Sequence, residues 1–593
     1  MPLDAHGRSR LPRLLTIVTV AALVGLLPAC GGGKKEGGAQ QVQSTANPQK
    51  GQKPGGKLTA LAASDVDSID PGQAYFFFTY QITYATQRPL YSTRPEDPNK
   101  LEPDLAASPA EVSKDGRTVT VKIKEGIRFS PPVDREVTSE DVKYAIERGF
   151  TASVPNGYAS IYFGDLEGAP EEPGDHQEID GIETPDERTI RFKLGAPTGA
   201  VLAQALALPL SAPVPKEYAQ RYDREEPSTY GMHQVFTGPY AIEADDSGEL
   251  TGYEPGKVIR LERNPSWDRK TDFRPAYLDE IEIQEGNENT TAAGKRILAG
   301  KGLVNANDFA PPAPVLKQAV QQQKDQVVLT PASAYRWMSL NTKVEPFDDI
   351  NVRRAVIAGV DRERLRLARG GELTGDVPTH FLPPEIPGFV EAGGTKGPGL
   401  DFLAKPKGDP KLSADYFKKA GFESGRYEGK KILVVGDDAE PGKAAAQVAL
   451  EELRKLGFET TFKPVKHELQ PKFCGTPKEK VAVCANGSWG KDFNDPQTLL
   501  DPVFNGENIL PTNGTNFAEL DEPEINKAMK EAAEIVDPKE RARAWGRIDK
   551  LVTEQAPGVP YLWDKQGNVR SSDVQGVVNQ FTAGWDLSFT SLK

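Results

Sequence analysis

The sequence predicts an α/β protein large enough to divide into at least two lobes. Two observations carry that expectation. From Lys57 onward, short apolar strands alternate with amphipathic helical stretches and Pro/Gly punctuation. The chain also has 593 residues, more than a single hydrophobic core accommodates.

The amino terminus reads as an address, not as fold. Arg8, Arg10 and Arg13 precede an apolar run from Leu14 to Leu27, which is short for a spanning helix. Leu27-Pro28-Ala29-Cys30 follows and resembles a bacterial lipobox, in which the cysteine is acylated and becomes the new amino terminus. Pro28 departs from the usual small or β-branched residue at that place. An ordinary secretory signal with an incidental cysteine is the alternative. Residues 1–29 are thus expected to be a signal peptide, Cys30 a lipidation site, and residues 30–56 a lipid-anchored flexible linker. That linker, rich in Gly, Gln, Lys and Ser, has too little apolar surface to offset its ordering entropy.

No second run of eighteen or more apolar residues follows, so the body is expected to be soluble, touching the membrane only through its anchor and partners. Net charge is −13. The segment before Cys30 carries Arg8, Arg10, Arg13 and Asp4, so the mature form stands at about −15. That argues against nucleic acid as a partner and leans toward cationic groups as ligands.

The elements follow in order. Lys57 to Ala63 reads as an opening strand. Thr118 to Ile123 alternates with period two behind an Asp115-Gly116 turn. Thr138 and Ser139, followed by Glu140 and Asp141, signal a helix start. Thr189 to Leu194, Val258 to Arg263 and Asp279 to Ile283 are further strands. Tyr335 to Asn341 is a strand, Asn351 to Val360 a helix entered near Asp349, and Pro410 to Ala420 a helix stopped by Gly421. Lys431 to Val435, Gly442 to Leu456 and Phe458 to Phe462 make a strand–helix–strand unit. Two late helices run from Ile525 to Ala533 and from Pro538 to Ala556. Cys474 and Cys484 sit ten apart in an exported chain, where a disulfide is the natural pairing.

Four stretches, in this order and spacing, resemble the large solute-binding proteins of ATP-driven (ABC) importers, the group with the dipeptide- and oligopeptide-binding proteins. Leu101 to Ala106, Lys114 to Phe129 and Ser139 to Tyr144 form the first. Thr237-Gly238-Pro239-Tyr240 with Leu261 to Pro265 is the second. Leu340 to Lys343, Pro346 to Asp349, Val352 to Ala355 and Asp361-Arg362 are the third, and Trp489 to Pro496 the fourth. The resemblance implies a two-lobed periplasmic-binding-protein-like fold of type II, of the large class with an extra subdomain, closing like a hinge over its solute. Lobe I is then residues 57–331, with an inserted subdomain at about 101–231, completed by 561–593. Lobe II is residues 332–560.

The resemblance also implies a site. In peptide binders of this group, the acid matching Asp492 receives the ligand's α-ammonium, because a buried ammonium needs a fixed counter-charge. Trp489 is placed to wall a side-chain pocket, and Ser488 and Gly490 to offer backbone groups to an extended peptide. The alternative for Asp492 is a loop acid capping a turn, with Lys491 neutralising it internally. Asp495, before Pro496, is expected to start a turn. Tyr75 and Phe76 open an aromatic cluster, with Phe77, Phe78, Tyr80 and Tyr84, that is either ligand wall or lobe I core.

No nucleophile elbow, P-loop or HExxH is present, and His176, His233, His380 and His467 are scattered. The expectation is therefore a monomeric binder without catalysis, cofactor or metal. It captures short peptides outside the cytoplasmic membrane and hands them to permease subunits with cytoplasmic ATPases. A nickel-chelate or oligosaccharide binder on the same scaffold, or a peptide-sensing surface receptor, is the alternative.

Overall fold

A computed structural model describes residues 51–308 and 311–593. The signal, Cys30 and most of the linker expected to end at Gly56 lie outside the described residues. The described chain folds as two lobes built on two six-stranded mixed sheets.

In the first sheet, Lys57–Leu61 lies between two parallel neighbours, Glu280–Gln284 and Leu303–Asn305. Val258–Arg263 then adds antiparallel to Glu280–Gln284, and Tyr240–Ile242 to Val258–Arg263. Alternation sets the faces: Leu58, Ala60, Ile259, Leu261, Ile281 and Ile283 are all buried in one core. A separate four-stranded antiparallel sheet has Glu111–Val112, Thr118–Lys122, Thr189–Lys193 and Ile182–Asp186 in that order. Its inward Val119, Val121, Ile190 and Phe192 pack with the helix Ser139–Arg148 and the segment 158–163. That helix starts as its sequence dictates: Thr138 caps it, and Asp141 returns a bond to the cap nitrogen.

The second sheet runs Gly375–Asp376, Gly558–Val569, Val327–Leu340, Val483–Gly490, Ile432–Asp437, Thr460–Val465. Its last two strands are parallel and joined by the helix Gly442–Lys455, the expected strand–helix–strand unit. The helix Ile350–Gly359 is capped by Asp349, which accepts from the Asn351 nitrogen at 2.7 Å.

Two long strands tie the lobes together. Val327–Leu340 extends well before the Tyr335 start that its sequence suggests. Pro331 and Ser333 argue locally against a strand, but antiparallel pairing with Gly558–Val569 overrides them through a register shift between Pro331 and Tyr335. Ser333 itself takes φ 47° there. At one end Val327 and Val569 pack with Leu61, Ile297 and Leu316. At the other end Met338, Leu340, Val559 and Leu562 belong to the second lobe's core.

Buried charge is resolved by pairing. Arg88 and Asp104, both 0% exposed, meet at 2.8 Å. Arg274 bonds Asp104 at 2.7 Å and Asp272 at 3.0 Å, so one carboxylate holds two guanidinium groups. Cys474, in the helix Gln470–Cys474, is bonded to Cys484 in the strand Val483–Gly490, with Cα atoms 6.2 Å apart.

Asp104→Ala leaves two buried arginines sharing Asp272 alone and is expected to cost about 3–5 kcal/mol in a urea unfolding curve; a loss below about 1 kcal/mol would show that Asp272 suffices for both. Thiol titration of the denatured, unreduced chain is expected to find Cys474 and Cys484 blocked. Closing so short a loop contributes roughly 2.5–3 kcal/mol in the chain-entropy model, a contribution that reduction removes.

Candidate functional site

The strand Val483–Gly490 delivers the segment the sequence singles out. Its antiparallel register with Val327–Leu340 pairs Gly490 with Ala334, Trp489 with Tyr335 and Ser488 with Arg336. On its other edge, Ile432–Asp437 pairs with it only at Val483 and Cys484. Asn486 and Gly487 are buried, but from Ser488 to Gly490 that second edge is partly exposed and carries no strand among the described residues, so its backbone groups can take an added strand.

Asp492 follows two residues after the strand and is 6% exposed. The Tyr162 hydroxyl donates to its Oδ2, and Tyr75 also favours its charged form. Among the described residues no cation pairs with it. Burial pushes its carboxyl up to about 7, against the downward pull of the two tyrosines. Both phenols are driven well above their ordinary range, first by burial and then by the Asp492 charge, so they remain donors. Tyr158 and Tyr80 lie in the same field. A buried acid ringed by phenols is a place where positive charge is stabilised.

Tyr75 is held from several directions. Its backbone nitrogen donates to Asp67 Oδ2 at 2.7 Å. The preceding turn is anchored by Asp70, which pairs with Arg148 at 2.8 Å, and by Asn156, whose amide donates to the Gly72 carbonyl at 2.7 Å. The Tyr75 ring then lies 5.5 Å from Tyr158 and 6.3 Å, edge-on, from Trp489. Trp489 is fixed in turn by its indole nitrogen, which donates to the Thr498 carbonyl at 2.7 Å.

Asp492, Trp489 and Tyr75 are therefore brought together. Gly490 joins them through close approach: a Cβ there would stand 3.4 Å from the Phe77 ring. Ser488 sits to one side, its hydroxyl 3.4 Å from His467 Nε2. His467 is part of a polar group around Asp437, which also accepts from Gln470 and Asn486. Phe76 is 52% exposed and makes no ring contact with the others among the described residues. The rest of the aromatic run divides: Phe78 and Tyr80 are core, while Phe77 and Tyr84 pack on Phe581. Asp495 starts a turn, accepting from the Gln497 nitrogen at 2.9 Å, and pairs with Arg541 at 2.6 Å. Lys491 does not neutralise Asp492; its ammonium bonds Ser333 instead.

Sequence reasoning missed Tyr158 and Tyr162. They come from a segment some 330 residues away from Asp492, and nothing local distinguishes them from core tyrosines. Among the described residues, no group of three or more His, Cys, Asp or Glu is arranged to hold a metal, and no helix is long and apolar enough to cross a membrane.

Comparison with known proteins places this geometry. The family model of bacterial extracellular solute-binding proteins, family 5 (middle), matches residues 100–510. The chain is 24% identical over 527 residues to the glutathione-binding protein GsiB of Escherichia coli O6:K15:H31, covering 88% of this chain and 91% of that one. Among solved structures, clavulanic acid biosynthesis oligopeptide binding protein 2 superposes with a TM-score of 0.79 at 28% identity, over 91% of this chain and 96% of that one. The murein tripeptide binding protein MppA of Escherichia coli shares the fold with a TM-score of 0.73 at 17% identity, over 91% and 98% of the two chains. These relatives are binding proteins of extracytoplasmic solutes rather than enzymes. The chain belongs to the family 5 bacterial extracellular solute-binding proteins.

Proposed function

We propose that this chain captures short peptides between its lobes and delivers them to an ABC importer, tethered by a lipid on Cys30 to the outer face of the cytoplasmic membrane and acting as a monomer. The observation that carries the reading is Asp492: a buried carboxyl that accepts from the Tyr162 phenol and, among the described residues, pairs with no cation. A peptide's α-ammonium supplies the missing charge, in a charge-assisted bond of about 1.5–3 kcal/mol. The open edge from Ser488 to Gly490 accepts the peptide backbone without regard to sequence. Trp489 and Tyr75 wall the first side chain. The names of the glutathione-binding and oligopeptide-binding relatives support the same class of guest.

Asp492→Ala is expected to weaken binding of a free-amine peptide at least about tenfold by calorimetry. Acetylating the peptide's amino terminus is expected to act equally. Unchanged affinity in both experiments would remove peptides as the guest.

The raised carboxyl gives a pH signature. Folded, Asp492 holds its proton up to about pH 7; unfolded, it loses it near ~3.9. The empty protein thus binds more protons than the unfolded chain across that window, and this group makes it less stable as pH rises through it. Binding an ammonium favours the charged carboxylate. Affinity should therefore rise from pH 5 to about 7, with proton release on binding at pH 6, and fall again as the peptide amine deprotonates near ~8. Calorimetry in two buffers of different ionisation enthalpy reads the released proton, and Asp492→Asn is expected to abolish it.

A further inference from the structure

The loop that follows the strand Val483–Gly490 is tied to one lobe at both ends and to the other lobe in its middle. At its start the Lys491 nitrogen donates to the Ser333 carbonyl at 3.3 Å, on the neighbouring strand of the second sheet. At its end Asp495 pairs at 2.6 Å with Arg541, in the helix Pro538–Glu554. Between these anchors the partners change. The Tyr162 hydroxyl donates to Asp492, and the Asn494 amide donates to Asn99 Oδ1, in the strand Asp97–Pro103. Phe493 is 1% exposed. It is buried in the core around the four-stranded sheet, where every other buried member lies between residues 74 and 235 or is Phe581. Its ring stands 4.9 Å from that of Tyr162, edge-on at 66°.

Tyr162 is itself held in place. It ends the short helix Ala159–Tyr162, whose start is fixed by Asn156: the Asn156 Oδ1 accepts from the nitrogens of Tyr158 at 2.9 Å and Ala159 at 2.7 Å. One side chain thus meets two residues of the opposite lobe, the Asp492 carboxyl through its hydroxyl and Phe493 through its ring. Opening affects the contacts of this loop differently. Asp492 and Asn494 exchange their partners for water when the lobes part. Phe493 has no such exchange. Its carbonyl accepts from the Asp495 nitrogen at 2.8 Å and from the Thr498 hydroxyl at 3.2 Å, so its backbone stays with the second lobe. Separation therefore draws an apolar ring out of a close-packed core into water.

We propose that Phe493 is a positioning residue that latches the lobes together and so sets how long a guest is retained. The latch rests on the capture of a guest between the lobes, as read above, and not on that guest being a peptide. It acts on the closed form alone, so it slows release and leaves encounter with the open form unchanged. Because the ring is seated among first-lobe residues, its contribution is the same whatever side chains the guest carries. That separates it from Asp492, whose contribution depends on the guest's charge.

The competing role is local: Phe493 shapes the loop that presents Asp492 and takes no part in closure. Three measurements with trialanine separate the two. Calorimetry gives Kd, an isotope chase read by native mass spectrometry gives the release rate and hence the association rate, and small-angle X-ray scattering gives compactness. Phe493→Ala is expected to release trialanine at least about tenfold faster, with association within about twofold of wild type. At saturating trialanine its radius of gyration is expected to exceed that of the wild type. Phe493→Leu, which keeps most of the apolar surface, is expected to fall between the two. Tyr162→Phe keeps the ring contact and loses the hydroxyl, so it is expected to bind more weakly yet stay compact when loaded. Wild-type release and compactness in Phe493→Ala would overturn the latch, as would a loss carried by association. Loosening of Tyr162→Phe equal to that of Phe493→Ala would assign closure to the Asp492 bond and overturn it too. If Phe493→Ala fails to fold, Phe493→Leu decides on the same readouts, and an unchanged release rate there overturns the proposal. Failure of trialanine to bind the wild type would sink the peptide reading alone. The latch is then judged on the empty chain, where Phe493→Ala is expected to enlarge the radius of gyration and equal radii would reject it.

Discussion

A carboxylate taken out of water must be given protons, donors or a cation, and Asp492 is a point where this fold meets that demand incompletely. The Tyr162 hydroxyl donates to it and Tyr75, from a separate segment, favours its charged form, while the acid itself follows a strand of the second sheet. Neither side alone makes the site. The turn at Asp70 and Pro71 has to be pinned by Arg148 and Asn156 before Tyr75 points the right way.

The same accounting applies to two other buried acids. Asp104 is as deeply buried as Asp492, yet it holds Arg88 and Arg274. Asp495, only three residues from Asp492, holds Arg541. These groups are internally satisfied and rigidify the lobes. Asp492 differs from these two acids in lacking a counter-charge, not in burial.

Support for the site is layered. The disulfide between Cys474 and Cys484 joins a short helix to the base of the strand that ends at Gly490. The Asp437 group binds His467, Gln470 and Asn486 to one another beside that strand. The strand is thereby held along its first half while its far edge stays open, a combination that lets backbone groups face a guest without collapsing onto a neighbour. The crossing strands Val327–Leu340 and Gly558–Val569 add a different property. Their register shifts occur near the passage from one core to the other, where the ladder is interrupted.

Much of this was legible in the sequence because it is local. Alternating strands such as Thr118–Lys122, the Thr138–Asp141 capping box, the Asp349 cap and the glycine stops depend only on neighbours a few residues away. The spaced blocks ending in Trp489 to Pro496 pointed to the family and to Asp492 as the residue to watch. The long strand through Pro331 and Ser333 was not legible, since pairing partners more than two hundred residues distant override its local signals. Nor were Tyr162 above Asp492, or the isolation of Lys491 from the acid beside it. Sequence alone determined which residues carry charge and which segments become helices and strands. Tertiary structure alone decided which charges find partners, because that depends on side chains converging from distant segments and on how much water their meeting excludes.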